Sequence, residues 1–112
     1  MPRARWFVDE HLSHPALSVA MIARRLGCSR STLYRAFAQY NMSVAGHIRE
    51  RRLLMMRNRL RTAPLHISIA DIAAGCGLYD APNMSRLFRA RFGVPPSAMR
   101  AGQGVATQRL AE

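Results

Sequence analysis

In the stretch GCSRSTLYRAF, residues 27–37, Leu33, Ala36 and Phe37 recur at helical spacing and face inward. That leaves Ser31, Thr32, Tyr34 and Arg35 facing outward. Two small hydroxyls, a phenol and a guanidinium on one face make a set of hydrogen-bonding groups. About fifty residues later, Pro82, Ser85, Arg86 and Arg89 form the matching stripe, with Asn83 beside it. These residue types suit the edges of bases: arginine bonds guanine O6 and N7 together, asparagine does the same for adenine, and serine or threonine serves either. Small residues in the first turn let such a helix enter a major groove deeply. Arg24, Arg25, Arg30, Arg89 and Arg91, with the N-termini of helices, are the phosphate candidates. The residue types alone leave open which arginines serve bases and which serve phosphates, since phosphate contacts outnumber base contacts.

The two stripes belong to a repeat. Residues 18–37, SVAMIARRLGCSRSTLYRAF, and residues 68–88, SIADIAAGCGLYDAPNMSRLF, align at an offset of 50 through Gly27 and Gly77. They align at an offset of 51 beyond the turn, where Leu33 meets Met84, Arg35 meets Arg86 and Phe37 meets Phe88. One added residue in the second turn accounts for the change, and duplication of a small supersecondary unit explains the rest. Val19, Ile22, Ala23 and Leu26 follow the i, i+3, i+4, i+7 pattern of a half-buried helix. Ser18 and Ser29 are N-cap candidates in the first unit, with Ser68 and Asp80 in the second. Gly27 and Gly77 stand where each first helix must stop. The grammar is helix, turn, helix, twice over.

Between the repeats, residues 43–62 read as one helix, opened by Ser43 and closed just before Pro64. Val44, Ile48 and Met55 form one apolar stripe; Leu53, Met56 and Leu60 form another, rotated by somewhat more than 90°. Two stripes predict one helix packing against both units, about 30 Å long at about 1.5 Å per residue. A leading helix is expected over 3–13 with Val8 and Leu12 inward, and a short one from Ser97 to about Ala101. The fold class that follows is all-α, with two helix-turn-helix subdomains joined by a long central helix and about seven helices in total. The expected division is 1–42 for the first subdomain, 43–62 for the linker helix, 63–102 for the second subdomain and 103–112 for a flexible tail.

Composition narrows the partner. The 112 residues carry 17 basic and 6 acidic side chains, a net charge of +11, and every basic residue is arginine. So positive a field points to a polyanion, nucleic acid or an anionic membrane surface. The 43–62 helix is basic, yet its two narrow stripes suit internal packing better than a membrane interface. No apolar run approaches the roughly 18 residues that span a bilayer. Trp6 and Tyr40 are expected to cover apolar surface, and without an array of stacking aromatics the chain lacks the platforms of a single-strand RNA binder. Cys28 and Cys76, 48 residues apart, and four scattered histidines lack metal-ligand spacing, so no metal or cofactor is expected. The carboxylates are dispersed and no nucleophile–base pair stands out, so an enzyme is not expected. Two thiols and an N-terminus interrupted by Asp9 and Glu10 point to a reducing cytoplasm.

The chain resembles the DNA-binding domain of the AraC/XylS family of bacterial transcription regulators. The similarity runs from about Leu17 to Arg100, through IARRLGCSRSTLYRAF, HIRERRLL and IADIAAGCGLYDAPNMSRLFRARFGVPPSAMR. The resemblance implies double-stranded DNA as partner, with both recognition helices entering successive major-groove segments on one face of an asymmetric site of roughly 20 base pairs. It implies recognition positions at Ser31, Thr32, Tyr34 and Arg35, then at Ala81, Pro82, Asn83, Ser85 and Arg86. It implies transcription activation through RNA polymerase and, in most members, an N-terminal effector or dimerisation domain; the chain is expected to be a stand-alone regulator or, preferably, an excised C-terminal fragment. The sequence departs from the family at Ser31, usually bulkier or polar, and at Ala81 and Pro82, usually polar. Proline cannot read a base by hydrogen bonding, so the second unit is expected to contribute shape and phosphate contacts more than base reading. Met56 replaces a usual alanine, and His47 and Met99 replace usual aromatics, all three expected in the core. The competing reading is a basic helical module for protein or RNA that does not discriminate DNA sequence.

Overall fold

Two stop-and-start signals, fifty residues apart, shape the chain. A computed structural model describes residues 2–101, and the tail expected over 103–112 lies outside them. The described residues form seven helices and no strand: α1 (Pro2–Glu10), α2 (Val19–Leu26), α3 (Arg30–Ala38), α4 (Val44–Thr62), α5 (Ile69–Gly75), α6 (Ala81–Phe92) and α7 (Pro96–Arg100). They divide into two compact units, one running to Arg52 and the other starting at Leu53. The division falls inside α4.

In the first unit, the Ser18 side chain accepts from the Met21 N–H and starts α2. Gly27 ends it at φ 70°, in the left-handed region that favours glycine. The Gly27 N–H donates to Arg24 O and the Cys28 N–H to Ala23 O, the paired bonds of a Schellman stop. Ser29 then accepts from the Thr32 N–H and starts α3. The second unit repeats each step. Ser68 accepts from Asp71 N–H, Gly77 turns at φ 88°, Gly77 N–H donates to Ala74 O and Leu78 N–H to Ala73 O, and Asp80 caps α6. The same hydrogen bonds recur at an offset of 50 through the turn and 51 at the second cap, so the repeat is one of backbone geometry as well as of side chains.

Each unit closes over its own core. In the first, Val8, Ile22, Phe37 and Val44 are almost wholly buried, with Leu12, Leu33 and Ile48 nearly so. Arg51 pairs with Asp9 at 2.9 Å, and Arg52 donates to the carbonyls of Leu12 and His14 in the turn that follows α1. In the second, Leu53, Met56 and Leu60 from α4 join Ile72, Ala73, Cys76, Met84, Phe88 and Met99. Arg59 donates to Gly75 O at the end of α5, and Arg100 to Pro64 O. Burial raises the Cys76 thiol above its ordinary pKa, against the pull of Arg59. Met56 and Met99 are core residues, as is His47, whose ring lies tilted against Phe37.

Three expectations need correction. Met55 packs on the second core although its angular position groups it with Val44 and Ile48 of the first. Position around a helix does not fix position along it, and the partner changes between Arg52 and Leu53. Trp6 is 64% exposed and Tyr40 57%, so neither covers apolar surface as expected. In α1, Ala4, Phe7 and Val8 take the inward side, and Trp6 falls about 200° around from Ala4. The leading helix also stops at Glu10, with Leu12 buried from the turn beyond it.

Candidate nucleic-acid interface

The face of α3 opposite Leu33 and Phe37 is open. Ser31, Thr32, Tyr34, Arg35 and Ala38 are all exposed, Tyr34 by 51%. The Ser29 hydroxyl accepts from Thr32 N–H and donates to Thr32 Oγ1 at 2.9 Å. The Thr32 hydroxyl is thereby turned with its own proton available to an outside acceptor. Arg30 is the first residue of α3, and Arg24 and Arg25 lie in the last turn of α2; all three are exposed. The Arg25 guanidinium lies 5.6 Å over the Phe7 ring, which orients it without consuming its N–H donors.

The second unit presents Ala81, Pro82, Ser85, Arg86 and Arg89 as exposed residues of α6, with Asn83 half-buried. Arg91 is exposed as well, its guanidinium 4.9 Å over Phe92. Arg86 Nη2 donates to Asn83 Oδ1 at 2.8 Å, so two base candidates are bonded to each other. Residues three apart on a helix are neighbours, so spacing puts the two side chains within reach, but the bond itself is seen only in the structure.

The two helix starts differ electrically. Ser29, which opens α3, is neutral, whereas Asp80, which opens α6, brings a carboxylate to the helix N-terminus. Pro82 has no N–H, and the Asn83 N–H is spent on Asp80 Oδ1 at 3.3 Å. The first turn of α6 therefore offers a phosphate little beyond the Ala81 N–H. The α3 end is the better anion site, with Arg30 on its first turn. Tyr79, 56% exposed one residue before the Asp80 cap, lies in the turn outside the periodic stretch, so spacing gives it no face.

Among the described residues, no group of three His, Cys, Asp or Glu side chains could hold a metal ion, and no helix is long and apolar enough to cross a membrane. Cys28 is half-buried and Cys76 buried, both as free thiols.

Comparison with known proteins gives the same architecture a family. Residues 22–102 match a family model described as a helix-turn-helix domain. The chain is 36% identical over 95 residues to the regulatory protein SoxS of Escherichia coli strain K12, covering 84% of this chain and 86% of that protein. A crystal structure of a Chromobacterium violaceum transcriptional regulator, described as having an AraC-type DNA-binding domain, superposes with a TM-score of 0.81 at 30% identity, over 91% of this chain and 89% of that one. The DNA-binding domain of the global transcriptional factor AdpA, solved in complex with a target DNA, superposes at 0.80 with 25% identity, over 90% and 89%. With its doubled helix-turn-helix, the seven helices of its described residues and these matches, the chain belongs to the AraC/XylS family as a DNA-binding domain.

Proposed function

We propose that the chain regulates transcription by reading double-stranded DNA with α3 and α6, each entering its own segment of major groove. One observation carries the reading. Both second helices bury one side in a core and turn a polar, arginine-bearing side to solvent. In α3, Ser31, Thr32, Tyr34 and Arg35 meet base edges; in α6, Ser85 and Arg86 do so, with Asn83 beside them. Arg24, Arg25, Arg30, Arg89 and Arg91 meet phosphates. The AdpA neighbour, whose DNA-binding domain was solved in complex with a target DNA, supports duplex DNA as the partner. A target of this kind puts the chain in the bacterial cytoplasm, associated with the nucleoid. RNA polymerase as a protein partner, and an effector or dimerisation domain as a covalent one, are proposed on family grounds alone.

The deciding experiment is selection from a pool of random duplexes of about 20 base pairs, the span of two successive major-groove segments. A sequence-reading regulator enriches one asymmetric motif. A basic module for RNA or protein retains duplexes by charge and enriches none, which would overturn the proposal.

A further inference from the structure

We propose that Asn83 is a positioning residue for Arg86, acting on DNA through that arginine and not by touching a base itself. The inference rests on the DNA reading above and assigns the second unit a larger share of it than Ala81 and Pro82 suggest.

The geometry is a relay along the first two turns of α6. The Asp80 carboxylate accepts the Asn83 backbone N–H at 3.3 Å and so fixes where Asn83 begins. Pro82, on the first turn of α6, holds φ near −65° and stiffens the same turn. The Asn83 side chain then accepts from Arg86 Nη2 at 2.8 Å. Arginine has no acceptor, so the atom facing it is the amide oxygen. That oxygen is the acceptor half of the pair with which asparagine would recognise adenine, and Arg86 already takes one of its two lone pairs and sets its direction. Asn83 is half-buried, whereas Arg86 is exposed. The anchored residue holds the reaching one.

The first unit lacks the device. Tyr34 and Ser31 flank Arg35, and none of the described residues bonds its guanidinium. Arg35 must be ordered when DNA binds, whereas Arg86 is ordered beforehand. Preorganisation of this kind spares the entropy of immobilising a long side chain. One Nη of Arg86 is held by Asn83, which leaves its remaining donors for the paired acceptors of a guanine. The second unit therefore reads one base through a fixed arginine, compensating for two non-reading residues in the first turn.

Two measurements test this. In the free protein, NMR relaxation of arginine side-chain Nε–H groups should show Arg86 more ordered than Arg35. Asn83→Ala should loosen Arg86, and Asn83→Asp, which keeps an acceptor oxygen, should not. Equal mobility of Arg86 and Arg35, or no change in Asn83→Ala, overturns the proposal. On the enriched duplex, Asn83→Ala should weaken binding about two- to tenfold, the scale of ordering one flexible side chain. It should leave affinity for unselected duplex and the melting temperature nearly unchanged. In an Arg86→Ala background the Asn83→Ala loss should vanish. A loss that persists there means Asn83 touches DNA directly and overturns the inference alone. Enrichment of no duplex at all overturns the DNA reading, and this inference falls with it.

Discussion

Replacing Arg30 with glutamine tests how the charge of +11 is divided. Several arginines bond groups of the protein itself: Arg51 bonds Asp9, Arg52 the carbonyls of Leu12 and His14, Arg59 Gly75 O and Arg100 Pro64 O. Five others, Arg24, Arg25, Arg30, Arg89 and Arg91, are exposed on or beside the helix-turn-helix elements. If those five neutralise one phosphate each, log Kobs falls with log salt at a slope of about −4.5, at about −0.9 per contact. Between about 50 and 200 mM salt that amounts to a loss of roughly 500-fold. Arg30→Gln should bring the slope to about −3.6 by removing one contact. Arg59→Gln, which severs an internal tether, should lower the melting temperature and leave the slope alone. Fluorescence anisotropy of the enriched duplex over a series of salt concentrations reads all three slopes. A wild-type slope shallower than about −2, or Arg59→Gln flattening it as much as Arg30→Gln, would refute the division.

Three further outcomes follow from named residues. Arg35→Ala and Arg86→Ala should each cost about 1–3 kcal/mol on the enriched duplex and relax the preference at one base position; an equal loss on unselected DNA would mean phosphate duty instead. Phe88, fully buried in the second core, should cost about 3–5 kcal/mol when truncated to alanine, read by urea denaturation, and a cost under about 1 kcal/mol would contradict its central place. Burial first, then Arg5 and Arg51, hold the His47 imidazole below its ordinary value of 6.5, with Asp9 opposing. The unfolded chain then takes up that proton more readily than the folded one, so this part of the stability is whole above about pH 6.5 and is lost as pH falls below it. His47→Phe should flatten the decline in denaturation midpoint as pH falls below about 6.5, and an unchanged slope would show the effect lies elsewhere.

Much of the fold was legible because its signals are local and appear twice. A serine or aspartate cap, an i, i+3, i+4 apolar stripe and a left-handed glycine each act over a few residues, and Ser18/Ser68 and Gly27/Gly77 repeat them at a fixed offset. Periodicity separates inward from outward sides for the same reason, and so the outward positions of Ser31, Tyr34, Arg35, Ser85 and Arg86 could be read from spacing. What periodicity does not carry is depth along an axis or the bonding among outward groups. Met55 was assigned to the wrong core on the first count. Trp6 and Tyr40, expected to cover apolar surface, are mostly exposed, Trp6 because its position around α1 turns it away from Ala4.

The bonding among outward groups bears most on function. Asn83 and Arg86 look like two independent readers when each is judged by residue type. Once Arg86 Nη2 sits 2.8 Å from Asn83 Oδ1, their donors and acceptors can no longer be counted separately. A residue whose amide oxygen is already held must either turn out of that geometry to pair squarely with a base edge or keep it and act through its partner. Breaking the bond releases a flexible arginine that must then be ordered again, at about 0.5–1.5 kcal/mol. Retaining the bond is the cheaper route in this reading, because the contact to the base is then made by an arginine already in place. The same reasoning explains how α6 tolerates Ala81 and Pro82 at its tip: two positions that bond nothing are offset by one that is fixed before binding.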